Sequence, residues 1–341
     1  MSDKDPVQGA KVFAKMGVIG AGSWGTALAS LCAQNGRETL LWSRNVQVAD
    51  AVNETHENMV YLPGVSLPTS LKAVTDLAGM AGCEALLFVA PAQSARSILT
   101  LLADALNHVA IPVALCCKGV ERGTLKLMNE VLEEVWPEAK GAVLSGPSFA
   151  RDVAKGLPTA VTLACPDREL QGRWLASLQS ASFRPYASSD IIGAELGGAV
   201  KNVLAIACGI VEGRGLGESA KAALMARGFV EFQRLGLAMG ASPGTLAGLS
   251  GLGDLILTCS SRQSRNMSLG FEIGQGKRAQ EILNQRNSVS EGAASAVAVI
   301  ELAARQGVEM PICQGVADIV EKGAEVDVII NALMQRPLRS E

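Results

Sequence analysis

From residue 12 to about residue 188 the chain alternates short apolar runs with longer stretches whose apolar residues recur every three or four positions. The short runs, at 13–19, 39–42, 85–89, 113–117, 142–144, 160–164 and 183–186, read as strands. Between them, 25–35, 93–107 and 125–136 read as helices. Such alternation predicts an α/β domain with a mostly parallel sheet and helices on both faces. After residue 188 the strand-like runs stop. Apolar residues then fall at helical spacing, punctuated by the glycine clusters GRGLGES, ASPGTLAGLSGLGD and GQGKR, so 190–341 is expected to be all-α. The pattern therefore predicts two domains, 1–189 with a loose polar tail at 1–11, and 190–341, packed on each other with a cleft between them.

Composition narrows this further. A chain of 341 residues suits two domains, and 48% hydrophobic with 18% charged residues is globular. Aromatics are only 4%, so the core must be built of Ala, Val, Leu and Ile. A formal charge of −3 gives no basic stripe for nucleic acid and no polybasic membrane anchor. An anionic ligand would have to be held by a few local cations and backbone amides. The eight cysteines show no CxxC spacing and sit mostly in apolar runs, which suits small buried thiols in a reducing compartment and no metal site. The apolar stretch from Met16 is broken by glycines and has no signal-peptide exit, and the run at 191–211 contains Glu195, Lys201 and Asn202. No integral membrane segment is expected, and the expected location is cytoplasmic.

The first candidate chemistry is Gly20-Ala21-Gly22-Ser23-Trp24-Gly25, directly after the first strand and opening the first helix. In a Rossmann-type unit, Gly20 makes the tight turn, Gly22 admits a pyrophosphate to the backbone, and Gly25 lets helix and strand approach. The helix N-terminus offers amides and partial positive charge to the phosphates. An NAD-specific site would place an acid at the end of the second strand; here stand Ser43 and Arg44, which suit a 2′-phosphate and argue for NADP(H). If Arg44 instead stacks on the adenine, NAD(H) is usable as well.

Hydride transfer to a carbonyl needs a proton donor at the oxygen. The only histidines, His56 and His108, lack an evident orienting partner. Lys201 stands out, in the apolar small-residue stretch GAELGGAVKNVLAIACG, where a lysine is costly to bury unpaired and burial lowers its pKa. Asp254 and Thr258, four apart in GLSGLGDLILTC, would share one helix face, and Asp254 would orient Lys201. Ser264, Arg265 and Asn266 offer a cation and short polar groups suited to a phosphate. Lys118 follows a strand at the carboxyl end of the sheet, where open α/β folds bind ligands, and Gly146, Ser148 and Ala150 follow another. Each of these last groups reads equally well as a structural turn.

Taken together the segments GAGSWGTALA, YLPG, CCKG, SGPSFA, ELGGAVKNVLAIACGIVEG, GLSGLGDLILTC, QSRN and SVSEG resemble, in order, the bacterial-type NAD(P)-dependent glycerol-3-phosphate dehydrogenases. The resemblance runs from about residue 16 to 315 and implies a helical domain that binds substrate and carries the catalysis. It implies reversible reduction of dihydroxyacetone phosphate to sn-glycerol 3-phosphate, feeding glycerophospholipid synthesis, with a homodimer as the expected assembly. Lys201 would be the proton donor and acceptor, and Lys118 would touch cofactor and substrate. Gly146 and Ser148 would meet substrate. Ala150 would meet cofactor. Asp254, Thr258, Ser264, Arg265 and Asn266 would complete the substrate pocket, with Arg265 also reaching the cofactor. Ser23, Trp24, Arg44, Tyr61, Val289 and Glu291 would line the dinucleotide. Two other readings stay open on the residues alone. One is another two-domain dehydrogenase, acting on a hydroxyacid or resembling ketopantoate reductase; the other is a non-catalytic dinucleotide sensor.

Overall fold

The computed structural model describes residues 7, 9–285 and 291–337. The described residues form two compact units, one within Met1–Lys118 and Leu127–Glu195, the other within Gly119–Lys126 and Leu196–Glu341.

The first unit is built on ten strands: β1 Lys15–Ile19, β2 Glu38–Trp42, β3 Glu57–Asn58, β4 Leu62–Ser66, β5 Lys72–Val74, β6 Ala85–Phe88, β7 Pro112–Leu115, β8 Lys140–Ser145, β9 Thr159–Ala164 and β10 Phe183–Ser188. Eight make one sheet in the order β10-β9-β8-β7-β6-β1-β2-β5, while β3 and β4 form a separate antiparallel hairpin. Its helices are α1 Ser23–Gln34, α2 Val46–Glu54, α3 Ala95–Ala105, α4 Met128–Val135, α5 Ala150–Ala154 and α6 Arg168–Leu178. The two-residue strand period sorts side chains into two cores. Ala85 and Leu87 of β6 join Leu28, Val153 and Trp174 on one face, while Leu86 and Phe88 join Leu99, Leu132 and Trp136 on the other. Each face is thus closed by helices, which is the arrangement the alternating sequence pattern predicts.

Two features depart from that pattern. β9 runs antiparallel to β8, although β10 is parallel to β9. A parallel return needs a crossover helix long enough to carry the chain back along the sheet. With only five residues, α5 cannot do this, so β9 starts where β8 ends and runs back beside it. The helix expected at 125–136 also starts later, at Met128. Leu125 has a left-handed φ of +60°, and residues 119–126 belong to the second unit, where Arg122 Nε donates to the Ala294 carbonyl at 2.7 Å and its guanidinium pairs with Glu321. α4 begins only where the chain returns, with the Glu130 carboxylate accepting from Leu127 N–H at 2.7 Å.

Apart from α7's first turn, the second unit's helices are α7 Ile191–Gly213, α8 Glu218–Ala238, α9 Pro243–Leu246, α10 Asp254–Ser260, α11 Arg265–Gly274, α12 Ala279–Gln285, α13 Glu291–Arg305, α14 Pro311–Lys322 and α15 Val326–Met334. No strand occurs among its described residues. By length and composition α7 could cross a bilayer, yet 83% of its most apolar window is buried in the fold. It is a core helix, and it meets its neighbours backbone to backbone. A Cβ on Gly209 would lie 2.1 Å from the Met267 carbonyl, and one on Gly270 would lie 2.0 Å from the Ile206 carbonyl. Gly213 and Gly274 repeat the same approach one turn on, at 2.2 and 2.5 Å. Glu231 of α8 meets another orphan helix end: its buried carboxyl accepts from Ile312 and Cys313 N–H at 2.8 and 3.2 Å, at the start of α14. All eight cysteines are buried free thiols, and burial pushes Cys32 up to about 12 and Cys83 up to about 11.

Gly270→Ala should destabilise the protein by about 2–3 kcal/mol or more, because a backbone carbonyl cannot move aside as a side chain can. Gly244→Ala, whose Cβ meets nothing nearer than 3.7 Å, is the control. Equal urea midpoints for the two variants would overturn this account of the helix pair.

Glu195, in the first turns of α7, accepts from Asn129 N–H at 3.0 Å through one oxygen, while the other is buried without a partner. Burial pushes its pKa up to about 8. Between pH 4.5 and 8 the unfolded chain ionises this group while the folded chain keeps the proton, so its contribution to stability is full at low pH and is lost as pH rises. The Glu195→Gln variant should therefore gain on the parent by roughly 1.4 kcal/mol per pH unit across that window. Parallel stability curves for the two proteins from pH 5 to 8 would show that Glu195 is ionised in the fold.

Candidate active site

In the first unit the glycine-rich turn has the geometry its sequence suggests. Gly20 has φ +114°, and a Cβ there would press on the Val89–Ala90 backbone at 3.2 Å. A Cβ on Gly25 would fall 1.8 Å from the Gly20 carbonyl, so strand and helix meet as closely as backbones allow. Gly22 is different. It precedes α1, no side chain caps that helix, and a Cβ there would meet nothing within 4 Å. Open space over an uncapped helix N-terminus fits a dinucleotide's pyrophosphate.

The β3–β4 hairpin buttresses this turn. Ser23 Oγ donates to the Tyr61 carbonyl at 2.6 Å. Asn58, which is buried, donates from Nδ2 to the Ala21 carbonyl at 2.9 Å and to Thr26 Oγ1 at 2.8 Å, while its Oδ1 accepts from Tyr61 N–H at 3.1 Å. One amide thus ties the turn, the helix and the hairpin together. From the other side Arg151, next to Ala150 at the start of α5, donates to the Pro63 carbonyl at 3.3 Å. Nothing in the sequence singles out Asn58, because an amide in the polar run NETHEN has no periodicity and its partners Thr26 and Ala21 lie 32 and 37 positions earlier.

The remaining groups of this unit sit at strand ends. Trp24 is half-buried against the core, and Tyr61 is exposed. Ser43 is buried, and its hydroxyl both donates to the Asn45 carbonyl at 2.9 Å and accepts from Asn45 N–H at 3.2 Å. Ser43 is thus bonded within its own turn, and Arg44, which follows it, is exposed. Lys118 is half-buried just beyond β7. A Cβ on Gly146 would touch the Val161 backbone at 2.8 Å, and Ser148 Oγ donates to the Gly146 carbonyl at 3.0 Å, closing the turn that leads to Ala150.

The second unit brings Lys201, Asp254 and Thr258 together. Lys201 Nζ donates to Asp254 Oδ1 at 2.7 Å and to Thr258 Oγ1 at 3.0 Å, and the Lys201 and Asp254 side chains are only 10% and 1% exposed. The backbone builds this directly. Asp254 opens α10 after a π-helical turn, Leu249–Gly253, and Thr258 follows one helical turn later on the same face. A Cβ on Gly197 would sit 2.0 Å from the Ser250 carbonyl, so α7 lies against that π turn without intervening side chains. Removing either partner of so buried a pair strands a charge, which typically costs about 3–5 kcal/mol.

At the start of α11, Ser264 Oγ accepts from Met267 N–H at 3.3 Å and caps the helix, which places Arg265 exposed at the first helical position. Asn266 is buried, and its Oδ1 accepts from Gly292 N–H at 3.1 Å. That bond ties α11 to α13, whose first residue, Glu291, is half-buried. Val289 lies outside the described residues. The histidines have local contacts: His56 Nδ1 lies 3.2 Å from the Val52 carbonyl, and exposed His108 sits 3.1 Å from Asp104.

Comparison with known proteins covers both units. The family description NAD-dependent glycerol-3-phosphate dehydrogenase N-terminus fits residues 15–171, and its C-terminus counterpart fits 190–331. A protein of Parvibaculum lavamentivorans named glycerol-3-phosphate dehydrogenase [NAD(P)+] is 57% identical over 96% of this chain and 98% of its own length. One of Caulobacter vibrioides with the same name is 55% identical over 96% and 99%. The crystal structure of glycerol-3-phosphate dehydrogenase from Coxiella burnetii superposes with a TM-score of 0.91 at 36% identity, covering 95% of this chain and 99% of that one.

Asn58→Ala tests the buttress. It leaves the Ala21 carbonyl and Thr26 hydroxyl without their donor, which should cost about 1–3 kcal/mol of stability. Loosening of the turn should raise the Kd for NADPH at least fivefold, roughly 1 kcal/mol of affinity. Fluorescence titration measures it, and an unchanged Kd would mean the glycine turn holds its shape alone.

Proposed function

Because the chain belongs to the NAD-dependent glycerol-3-phosphate dehydrogenase family, we propose that it interconverts dihydroxyacetone phosphate and sn-glycerol 3-phosphate, using NADP(H) and also NAD(H). The observation that carries this reading is the buried Lys201–Asp254–Thr258 group, in the same unit as the exposed cation of Arg265.

The proposed division of labour follows the two units. Gly20, Gly22 and Gly25, with Ser23 and Trp24, hold the dinucleotide's phosphates, Arg44 meets the 2′-phosphate, and Tyr61, Lys118, Ala150, Arg265, Val289 and Glu291 line the rest of the cofactor. When bound, the reduced nicotinamide supplies the hydride. Lys201 holds a proton at Nζ and delivers it to the carbonyl oxygen as that oxygen gains charge, and takes it back in the reverse direction. Asp254 fixes Nζ in place and keeps a negative partner beside it when the proton is held; Thr258 fixes it from a second side. Lys118, Gly146, Ser148, Ser264, Arg265 and Asn266 bind the substrate, with Arg265 meeting its phosphate. The assignment of Arg265 rests on charge: the chain is net negative, so a dianionic substrate depends on a local cation. We further propose a cytoplasmic enzyme, working as a homodimer, whose product enters glycerophospholipid synthesis.

Lys201→Met should lower kcat by about 10²–10⁴ through loss of the general acid, with further loss from the missing positive charge at the oxyanion. The Kd for NADPH should stay within a few-fold, since the glycine turn lies in the other unit. Dihydroxyacetone, which lacks the phosphate, should turn over far more slowly than its phosphate ester in the parent enzyme. Oxidation of NADPH followed with each substrate decides both points. Parent-like turnover by Lys201→Met would move the proton to another group, with Lys118 next. Equal kcat/KM for the two substrates would remove phosphate recognition and the glycerol-3-phosphate reading with it.

A further inference from the structure

Outside the groups assigned above, a charged cluster of the second unit gathers around Glu212, at the end of α7. Its carboxylate accepts from Arg262 Nε at 2.7 Å and from Lys221 Nζ of α8 at 3.1 Å. Arg262, and secondarily Lys221, hold that carboxyl below the usual carboxylate range. The Arg262 guanidinium also lies over the Phe271 ring of α11, 3.8 Å from its centroid. Arg262 itself sits in the tight turn between α10 and α11, where Ser264 N–H donates to the Ser261 carbonyl at 3.0 Å. One side chain therefore connects the end of α7, the turn and the body of α11.

The location gives this cluster its meaning. The turn is the chain segment that joins α10, which carries Asp254 and Thr258, to Ser264, the cap of α11, and to Arg265 and Asn266 in its first turn. The glycine contacts hold α11 on α7 from the Met267 carbonyl to Gly274, and leave the turn and Arg265, which precede Met267, outside them. Arg262 is 59% exposed, so water screens its ion pair and the pair adds little to global stability. A weak tie can still bias a local equilibrium, and here it acts on the turn that sets where the Arg265 guanidinium begins.

We propose that Arg262, held by Glu212 and stacked on Phe271, is a positioning residue for phosphate recognition: it fixes the α10–α11 turn so that Arg265 meets the substrate's phosphate. This rests on the reading of Arg265 as the phosphate ligand. Glu212 and Lys221 act through Arg262. None of the three needs to touch the reacting atoms.

The test is steady-state kinetics at saturating NADPH on the parent, Arg262→Ala, Arg262→Lys, Glu212→Gln and Arg265→Ala, each with dihydroxyacetone phosphate and with dihydroxyacetone. Arg262→Ala should raise KM for the phosphate ester roughly fivefold, equivalent to about 1 kcal/mol, with kcat within twofold and dihydroxyacetone kcat/KM unmoved. Glu212→Gln should do the same, and Arg262→Lys, which keeps the charge but not the planar stack, should fall between. If Arg265→Ala raises KM while Arg262→Ala and Glu212→Gln leave it unchanged, the positioning role is overturned and the site assignment stands. Equal losses for both substrates, or a fall in kcat with KM fixed, would make Arg262 merely structural and overturn the proposal. If the parent and Arg265→Ala alike fail to distinguish the two substrates, the reading of the site fails and this proposal falls with it.

Discussion

Where two helices touch through backbone atoms, no rotamer change can absorb an error in their spacing. α7 makes such contacts along most of its length: at Gly197 with the π turn, through the Asn202 carbonyl with Gly292 of α13, and through Gly209, Gly213, Gly270 and Gly274 with α11. The elements so fixed are those that carry the polar groups. The π turn starts α10 and its Asp254, α11 starts with Arg265, and α13 starts with Glu291. Lys201 projects from the same helix that spaces them. The rigidity of a buried lysine–carboxylate pair thus comes from glycine contacts on either side of it, because a pair costing several kcal/mol to desolvate stays ionic only if its geometry cannot relax.

The two units answer the problem of binding an anion with a net-negative chain in different ways. The first offers an uncapped helix end over an open glycine, with dipole and amides in place of side-chain charge. The second carries whole charges: Arg265, exposed at the start of α11, and two cations each held by a partner, Lys201 by Asp254 and Arg262 by Glu212. Burial decides how far such a charge is felt. Lys201 is nearly closed off from water, whereas Arg262 is screened, and the influence proposed for it runs only through the backbone it holds.

Much of this could be read from the chain. The strands were visible because each buried strand is a short apolar run between turn residues, and the dinucleotide turn because its glycines follow one of them. Asp254 and Thr258 were legible as partners from their four-residue spacing, and Lys201 from its isolation among small apolar residues. What escaped depends on contacts between distant segments. The reversal at β9 follows from the shortness of α5, the late start of α4 from a loop captured by Ala294 and Glu321, and the Asn58 clamp from a carbonyl 37 positions earlier. Ser43 shows the same limit: a hydroxyl near a strand end serves a ligand or its own turn with equal ease, and the bond to Asn45 is visible only in the fold.

The buried thiols give the molecule a means of reporting its own opening. Alkylating reagents attack the thiolate, and burial bars the reagent from all eight thiols, so the native chain should be silent toward them. Cys32, Cys83, Cys116, Cys117 and Cys165 lie in the first unit, and Cys208, Cys259 and Cys313 in the second. Peptide mapping after a timed pulse of reagent would therefore date the opening of each unit separately, with no engineered label. The chemistry proposed for this chain uses a lysine and an aspartate, so its cysteines are free to serve that use.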